Sequence, residues 1–134
     1  MKKIVAAFDY AEISYESILK VGIIVWKKKP TNEEYQNTFE VLIDFSKTHQ
    51  VDNFLSDIRN QGVVSPETRK WFETVMIPKA IDHGLKRAAT IFDGNVFKKY
   101  YINMIIQATN KFGMPLKLFN TEEEAFVWFK SFIK

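Results

Sequence analysis

One unbroken apolar run constrains the fold of this chain more than any other feature, namely Val21-Gly22-Ile23-Ile24-Val25-Trp26. Its β-branched residues favour an extended strand, and the lack of alternation with polar residues predicts that both faces of the strand are buried. Strands of this kind belong to parallel sheets that other elements cover on both sides. Pro30 follows closely and cannot extend a hydrogen-bonded ladder, so we expect the strand to end near Lys27.

The rest of the chain predicts an alternation of strands and helices. Capping residues mark three helix starts at Thr31, Ser65 and Thr121, while Gly84 and Gly113 mark helix ends. The predicted strands are Phe8–Tyr15, Ile18–Lys27, Phe54–Ile58, Leu85–Phe92 and Pro115–Phe119. The resulting order is β-β-α-β-α-β-α-β-α. We therefore predict that residues 1–134 form a single α/β domain, with a five-stranded, mostly parallel sheet whose first strand is antiparallel at one edge.

The helix that begins at Ser65 carries two further expectations. Its spacing predicts one buried face, made of Trp71 or Phe72, Val75 and Met76. Pro78 lies inside the same helix, where a proline removes a hydrogen bond and clashes with the preceding turn, so we expect a kink there.

The predicted helix Val96–Phe112 is apolar over most of its circumference. A helix of this kind must be buried on more than one side. Either the sheet and neighbouring helices cover it, or its outward side chains are covered by a second copy in a homodimer, by another partner or by an apolar ligand.

Composition and charge exclude several classes of function. The chain has no cysteine, which excludes disulfides, thiol catalysis and thiolate metal sites. The formal net charge is +3 and acidic residues interrupt the basic stretches, so nucleic acid is not an expected partner. The apolar run after Met1 is broken at Asp9, which makes it too short for a secretion signal, and no stretch reaches the length of a membrane helix. We expect a cytoplasmic protein without a membrane span.

The chemically active residues form no catalytic motif. His49 and His83 lie near predicted helix ends, where the helix dipole favours a cation, and neither has a second metal ligand at helical spacing. The glycines form no nucleotide-binding pattern, and Ser65 lacks the flanking glycines of a hydrolase nucleophile. We predict a protein that is not an enzyme and that uses no metal or cofactor.

A polar segment after the third predicted strand is the strongest candidate for a binding surface. It places an acid, a base and two amides at the carboxyl end of a strand, where open parallel sheets present their sites. The next helix begins beside it. We expect a protein partner to dock on a surface formed by Asp57, Arg59, Asn60, Ser65 and Glu67.

The same region carries a recognisable pattern, which comprises Ser56–Pro66, Trp71, Ile77-Pro78 and Gly84–Arg87. Together with the order of elements, this pattern resembles the STAS-like (SpoIIAA-like) family of bacterial anti-anti-sigma factors, in its single-domain branch. The resemblance implies a superhelix of successive β-α units. It also implies that Asp57 is the aspartate that ends the third strand. Ser65 then lies near the serine whose phosphorylation breaks the complex with an anti-sigma kinase.

Two functions of different classes are consistent with these observations. The leading hypothesis is a non-enzymatic regulatory module that docks a protein partner through the loop and helix around Ser65. The alternative is a carrier or sensor of a small apolar ligand or lipid, suggested by the helix Val96–Phe112 and by 12 Phe, 5 Tyr and 3 Trp. A flat, solid surface around Ser65 would favour the module. A cavity of about 300 Å³ or more, lined by Phe, Tyr and Met, would favour the carrier.

Overall fold

The computed structural model describes residues 2–133, apart from the side chain of Phe97. This part of the chain contains six strands: β1 (Lys2–Ala7), β2 (Ala11–Glu16), β3 (Val21–Trp26), β4 (Asn53–Asp57), β5 (Arg87–Ile91) and β6 (Leu116–Phe119). Its helices are α1 (Asn32–Ser46), α2 (Pro66–Trp71), α3 (Ile77–Asp82), α4 (Val96–Lys111) and α5 (Glu122–Lys130). A π-helical turn, Phe72–Met76, joins α2 to α3 without a break in helical backbone angles, so residues 66–82 form one rod.

The strands form one mixed sheet in which the order in space is the order in sequence, β1-β2-β3-β4-β5-β6. The pairs β1–β2 and β2–β3 are antiparallel, and β3 to β6 are parallel to one another. The predicted α/β class is therefore confirmed. The prediction of five strands is wrong, because the sheet has six.

The additional strand is β1. It lies at the edge of the sheet where the prediction placed the strand that is now β2. It pairs with β2 alone, through a register that shifts between Ile4 and Ala6. Two lysines and two alanines make up most of its sequence, and both residue types are uncommon in strands. Lysines and a bulge also protect an exposed strand edge against pairing with another chain. The strand predicted at the antiparallel edge thus lies inside the sheet as β2.

Two strand boundaries differ from the prediction because turns take up residues that have strand-like side chains. The Phe8 N–H donates to the Ala11 carbonyl at 2.8 Å and closes a turn, so β2 begins at Ala11. Lys20 has a φ of 56° in the turn between β2 and β3, so β3 begins at Val21.

Three helical rods cover one face of the sheet, and α5 covers the other. Right-handed crossovers that all progress in one direction along a sheet place their helices on the same face. The core between the sheet and these three rods contains Ile24, Trp26, Phe39, Phe54, Met76 and Ile105. The core on the α5 side contains Val21, Ile23, Leu55, Ala89, Ala125 and Phe129. The apolar run in β3 is thus buried on both faces, as its pattern predicts.

The sequence predicts a kink at Pro78, and the structure has a π-helical turn, Phe72–Met76, just before this proline. The N–H of Ile77 donates to the carbonyl of Phe72, five residues back, which widens the turn. The extra residue per turn also rotates the side chains. As a result Met76 is buried and Val75 is 44% exposed, so the prediction that Val75 is buried is wrong.

Helix α4 is covered on one side only. Its inner face buries Tyr101, Ile102 and Ile105, whereas Val96 and Tyr100 are exposed. Asn103 and Gln107 occupy the next outward positions and are exposed, so the exposed apolar side chains described here are Val96 and Tyr100 near the start of α4 and Phe112 directly after its end. The homodimer through this helix stays a prediction, and it would have to rely on these side chains.

Candidate functional site

Asp57 and Arg59 pair with each other at the carboxyl end of β4. The carboxylate of Asp57 accepts hydrogen bonds from Nε and Nη2 of Arg59 at 3.0 and 2.7 Å, and from the Arg59 backbone N–H at 3.1 Å. The hydrogen bond to Asp57 raises the pKa of the Arg59 guanidinium above its usual value. The carboxylate of Asp57 is therefore already bound by Arg59. The Arg59 side chain remains 51% exposed and can still contact a partner.

Lys98 fixes the loop that follows β4. Its ammonium group reaches from the first turn of α4 and donates to the carbonyls of Ile58 and Arg59 at 2.9 and 2.8 Å. A weaker contact joins it to Asp93 at 3.4 Å. The Lys98 side chain is only 5% exposed, so these bonds form where water competes little. The loop is thereby held against the start of α4.

Ser65 caps the next helix. Its hydroxyl oxygen accepts the Thr68 N–H at 3.1 Å, as the sequence predicts for a cap. The hydroxyl group also lies within hydrogen-bond distance of Thr68 Oγ1 and Asn32 Oδ1, and Thr68 Oγ1 donates to Asn32 Oδ1. Ser65 therefore links the starts of α1 and α2, and its hydroxyl has a structural role.

The other residues of the predicted docking surface are exposed. Asn60 lies in the loop beside Arg59, and Glu67 lies in the first turn of α2. Val63, between them in sequence, is also exposed. The structure thus places four of the five predicted residues at or near the surface along one segment, with Asp57 buried beneath Arg59.

Gln61 turns inward from the same loop. Its side-chain oxygen accepts the hydroxyl of Tyr101 at 2.6 Å in a buried hydrogen bond. Gly62 follows with a φ of 75°, and a Cβ there would lie 3.2 Å from Cβ of Lys29, so this position suits glycine in both respects. The loop consequently has an outer side, with Arg59 and Asn60, and an inner side, with Gln61.

Gln61 and Tyr101 lie at one end of a cavity of about 80 Å³ between the sheet and the helical rods. We call this space the core cavity. Its walls come from α1, the rod 66–82 and α4, and its floor comes from β4, β5 and β6. At the other end Ser46 and His83 close it, with Ser46 Oγ 3.3 Å from Nδ1 of His83. Both of these residues are half-buried, so this end lies nearer to solvent.

Small side chains on the two central strands create the core cavity. Phe54 and Ser56 of β4 are the register partners of Ala88 and Thr90 of β5, and all four line the cavity. Three of these four positions hold a small residue, whereas buried parallel strands usually carry Val, Ile or Leu there. The large rings of Tyr35, Phe39 and Phe72 stand opposite and cannot fill the space that these positions leave.

The core cavity is mostly apolar, and its titratable side chains are those of Tyr35, Tyr101 and His83. No Lys, Arg, Asp or Glu occurs among the described residues that line it. Burial raises the pKa of Tyr35 and of Tyr101, so both phenols stay protonated. The interior therefore suits an uncharged apolar molecule. At about 80 Å³ it is smaller than the 300 Å³ that we set for a carrier of a small apolar ligand or lipid, so the cavity does not meet that criterion.

Sequence reasoning missed Lys98 and the floor of the core cavity. Lys98 is one of two adjacent lysines, and the charge pattern does not distinguish the buried one from the exposed Lys99. For the floor, a signal was available: Ser56, Ala88 and Thr90 interrupt segments that predict buried central strands.

Neither the shape of the described region nor comparison with other proteins assigns a function. Among residues 2–133, no group of three or more His, Asp or Glu side chains could hold a metal ion, and no helix is long and apolar enough to cross a membrane. No model of a known family, no curated protein and no solved structure matches the chain significantly. The STAS-like resemblance therefore stays a prediction.

Proposed function

We propose that this protein is a non-enzymatic binding module whose ligand is a small apolar molecule held in the core cavity. The observation that supports it is an apolar space of about 80 Å³ enclosed by aromatic and aliphatic side chains of three helical rods. Ligand sites are typically concave and mostly apolar, with a few polar groups. The core cavity has this composition, since Gln61 and Tyr101 provide polar groups at one end.

The energetic cost of such a space favours a function for it. Cavities in protein cores cost about 24 cal/mol per Å³, so a cavity of this volume costs about 2 kcal/mol. Domains of ordinary size are stable by only about 5–15 kcal/mol. A ligand that fills the space would recover part of this cost and would stabilise the folded protein by mass action.

Analysis of small molecules released by the protein tests this proposal. Protein purified from its own host is denatured, and the released compounds are identified by gas chromatography and mass spectrometry. The control is Ala88→Ile, which fills the core cavity from its floor. We expect a small neutral compound from the wild type and none from the control. Equal background from both proteins, together with unchanged NMR signals of the lining residues under xenon pressure, would contradict the proposal.

Docking of a protein partner through the loop 58–65 is a second candidate. The observation that favours it is an exposed arginine on a backbone that Lys98 and Asp57 hold in place. Arginine is common among the residues that dominate interface energies, and a pre-organised loop loses little entropy on binding. In this candidate Arg59 is the anchor, and Asn60, Val63 and Glu67 surround it.

Affinity capture with matched variants tests the docking candidate. The baits are wild type, Arg59→Ala, Ser65→Asp and the control Lys111→Ala, which changes an exposed lysine at the far end of α4. We expect Arg59→Ala and Ser65→Asp to lose partners that the wild type and Lys111→Ala retain in equal amounts. Retention of the same partners by all four baits would reject docking at this loop.

A further inference from the structure

We propose that the ligand of the core cavity is neutral and carries one hydrogen-bonding group, which binds the hydroxyls of Ser56 and Thr90. This inference rests on the proposed function of the cavity. Ser56 and Thr90 are register partners on adjacent parallel strands, and both line the cavity. Because neighbouring strands lie about 4.8 Å apart, one ligand atom can reach both hydroxyls.

Within residues 2–133, the hydroxyls of Ser56, Thr90 and Tyr35 form no side-chain hydrogen bond, whereas three other polar groups of the lining do. Thr109 donates to the Ile106 carbonyl, Ser46 donates to the Ile43 carbonyl, and Tyr101 donates to Gln61. Of the three hydroxyls without such a bond, those of Ser56 and Thr90 are paired on adjacent strands, and each of these two residues is only 6% exposed. Their hydroxyl oxygens are not fully buried, so a ligand in the cavity that supplies a hydrogen-bond partner can reach them and gains affinity.

The charge of the lining defines the class of ligand further. A carboxylate or an ammonium group would lose its hydration on entering the core cavity and would find no Lys, Arg, Asp or Glu among the described lining residues. The imidazole of His83 lies against Ser46 at the end of the cavity nearer to solvent. Ser56 and Thr90 can donate to a carbonyl or hydroxyl oxygen and can accept from a hydroxyl. The geometry therefore points to an alcohol, an aldehyde or a ketone.

Size limits the apolar part of the ligand. An engineered cavity of about 150 Å³ binds benzene, and the core cavity has about half that volume. Benzene has six non-hydrogen atoms, so by the same ratio a ligand of about three non-hydrogen atoms fits this space. Ethanol, with two carbons and one hydroxyl, is a suitable probe, and acetate is its charged counterpart.

Titration with three probes separates the failure of this inference from the failure of the proposed function. Xenon reports whether the core cavity accepts an apolar guest, ethanol reports the contribution of the hydroxyl pair, and acetate reports the effect of charge. Binding is followed by NMR shifts of lining residues. The variants Ser56→Ala and Thr90→Val each remove one hydroxyl. The controls Ser14→Ala and Thr38→Val remove buried hydroxyls that do not line the cavity.

We expect wild type to bind xenon and ethanol, and to bind acetate at least tenfold more weakly than ethanol. Ser56→Ala and Thr90→Val should each weaken the binding of ethanol about three- to tenfold and leave the binding of xenon unchanged, because each variant loses one hydrogen bond. The controls should bind like the wild type. Urea unfolding of each variant verifies that it is folded.

Two outcomes would overturn the inference while the proposed function stands. One is equal affinity of ethanol for wild type, Ser56→Ala and Thr90→Val, and the other is equal affinity of wild type for acetate and ethanol. If neither xenon nor ethanol shifts the lining resonances, the core cavity holds water at most, and both proposals fail.

Discussion

Lys98 illustrates how a single buried side chain can determine the shape of a surface loop. Its ammonium group joins α4 to the carbonyls of Ile58 and Arg59, which are separated from it by about 40 residues in sequence. These bonds hold the loop in the position that presents Arg59 to solvent. The side chain contributes to a candidate binding surface without being part of it.

Replacement of Lys98 by methionine should reduce the free energy of unfolding by about 1–3 kcal/mol. Methionine retains an apolar stem but removes the Lys98 donor from both carbonyls, so the Arg59 carbonyl loses this bond and the Ile58 carbonyl keeps only the Gln61 N–H. Loss of such bonds at a partly buried site costs about this amount. Urea unfolding measures the loss. Lys99→Met is the matched control, because the neighbouring lysine is exposed and its replacement should change stability by no more than about 0.5 kcal/mol. Equal effects of the two variants would contradict the role of Lys98.

Ser65→Ala should reduce the free energy of unfolding by about 0.5–2 kcal/mol, the usual cost of losing a helix cap. Ser65→Asp keeps an acceptor and places a negative charge at the positive end of the helix, so stability should hold or rise slightly. Urea midpoints compare the two variants with Ser17→Ala, a change at an exposed serine outside any helix. A loss of stability in Ser65→Asp as large as in Ser65→Ala would contradict the cap.

At the scale of elements, the sequence predicted the features that depend on a few consecutive residues. The caps at Thr31, Ser65 and Thr121 and the run in β3 depend on a few consecutive residues, and the structure confirms them. Strand β1 depends on pairing with β2, which its own residues do not signal. The exposure of Val75 depends on a π-helical turn, which shifts the helical face by one residue.

Ala88→Val should raise the melting temperature by a few degrees, because the added methyl groups enter the core cavity and cavity filling commonly stabilises by about 0.5–2 kcal/mol. Ala89→Val is the matched control. Its side chain is fully buried in the core on the α5 side and does not line the core cavity, so the added methyl groups should destabilise by about 1–3 kcal/mol. Thermal unfolding compares the two variants. Destabilisation of the same size in both would show that the space above Ala88 accepts no additional atoms.

At the scale of the whole molecule, two buried phenols make the stability of the fold depend on pH in the alkaline range. Burial raises the pKa of Tyr35 and Tyr101 in the folded state, whereas unfolded tyrosine titrates near about 10. Above that pH the unfolded chain loses protons that the folded chain keeps. The contribution of the two protonated phenols to the free energy of unfolding is therefore complete below about pH 10, and it declines as the pH rises towards their pKa values in the folded state.

Tyr101→Phe should reduce this pH dependence by about 1.4 kcal/mol per pH unit above about pH 10, since one group accounts for that slope. Urea unfolding between pH 9 and about pH 11.5 measures it. The control is Tyr100→Phe, because Tyr100 is 70% exposed and its neighbour Tyr101 is 4% exposed. If the two variants show the same slope, Tyr101 does not keep its proton in the folded state.

The candidate site was predictable only in part, because its two sides are encoded differently. Arg59, Asn60 and Glu67 are polar residues at the carboxyl end of a strand, and topology alone brings such residues to a surface. The core cavity arises where Ser56 and Thr90 meet across β4 and β5 beneath the rings of distant helices. That meeting requires the register of the strands and the packing of three rods, neither of which one sequence reveals.

The sequential order of the strands also bears on how the protein is made. Each strand pairs with the one before it, so the sheet can grow at one edge as the chain leaves the ribosome, and no strand has to be inserted between two that are already paired. The last helix breaks this sequence of events. Until α5 is synthesised, Val21, Ile23, Leu55 and Ala89 have no helix over them. Nascent chains that end before Glu122 therefore expose an apolar sheet face. We expect a chaperone to bind this face until α5 has been synthesised.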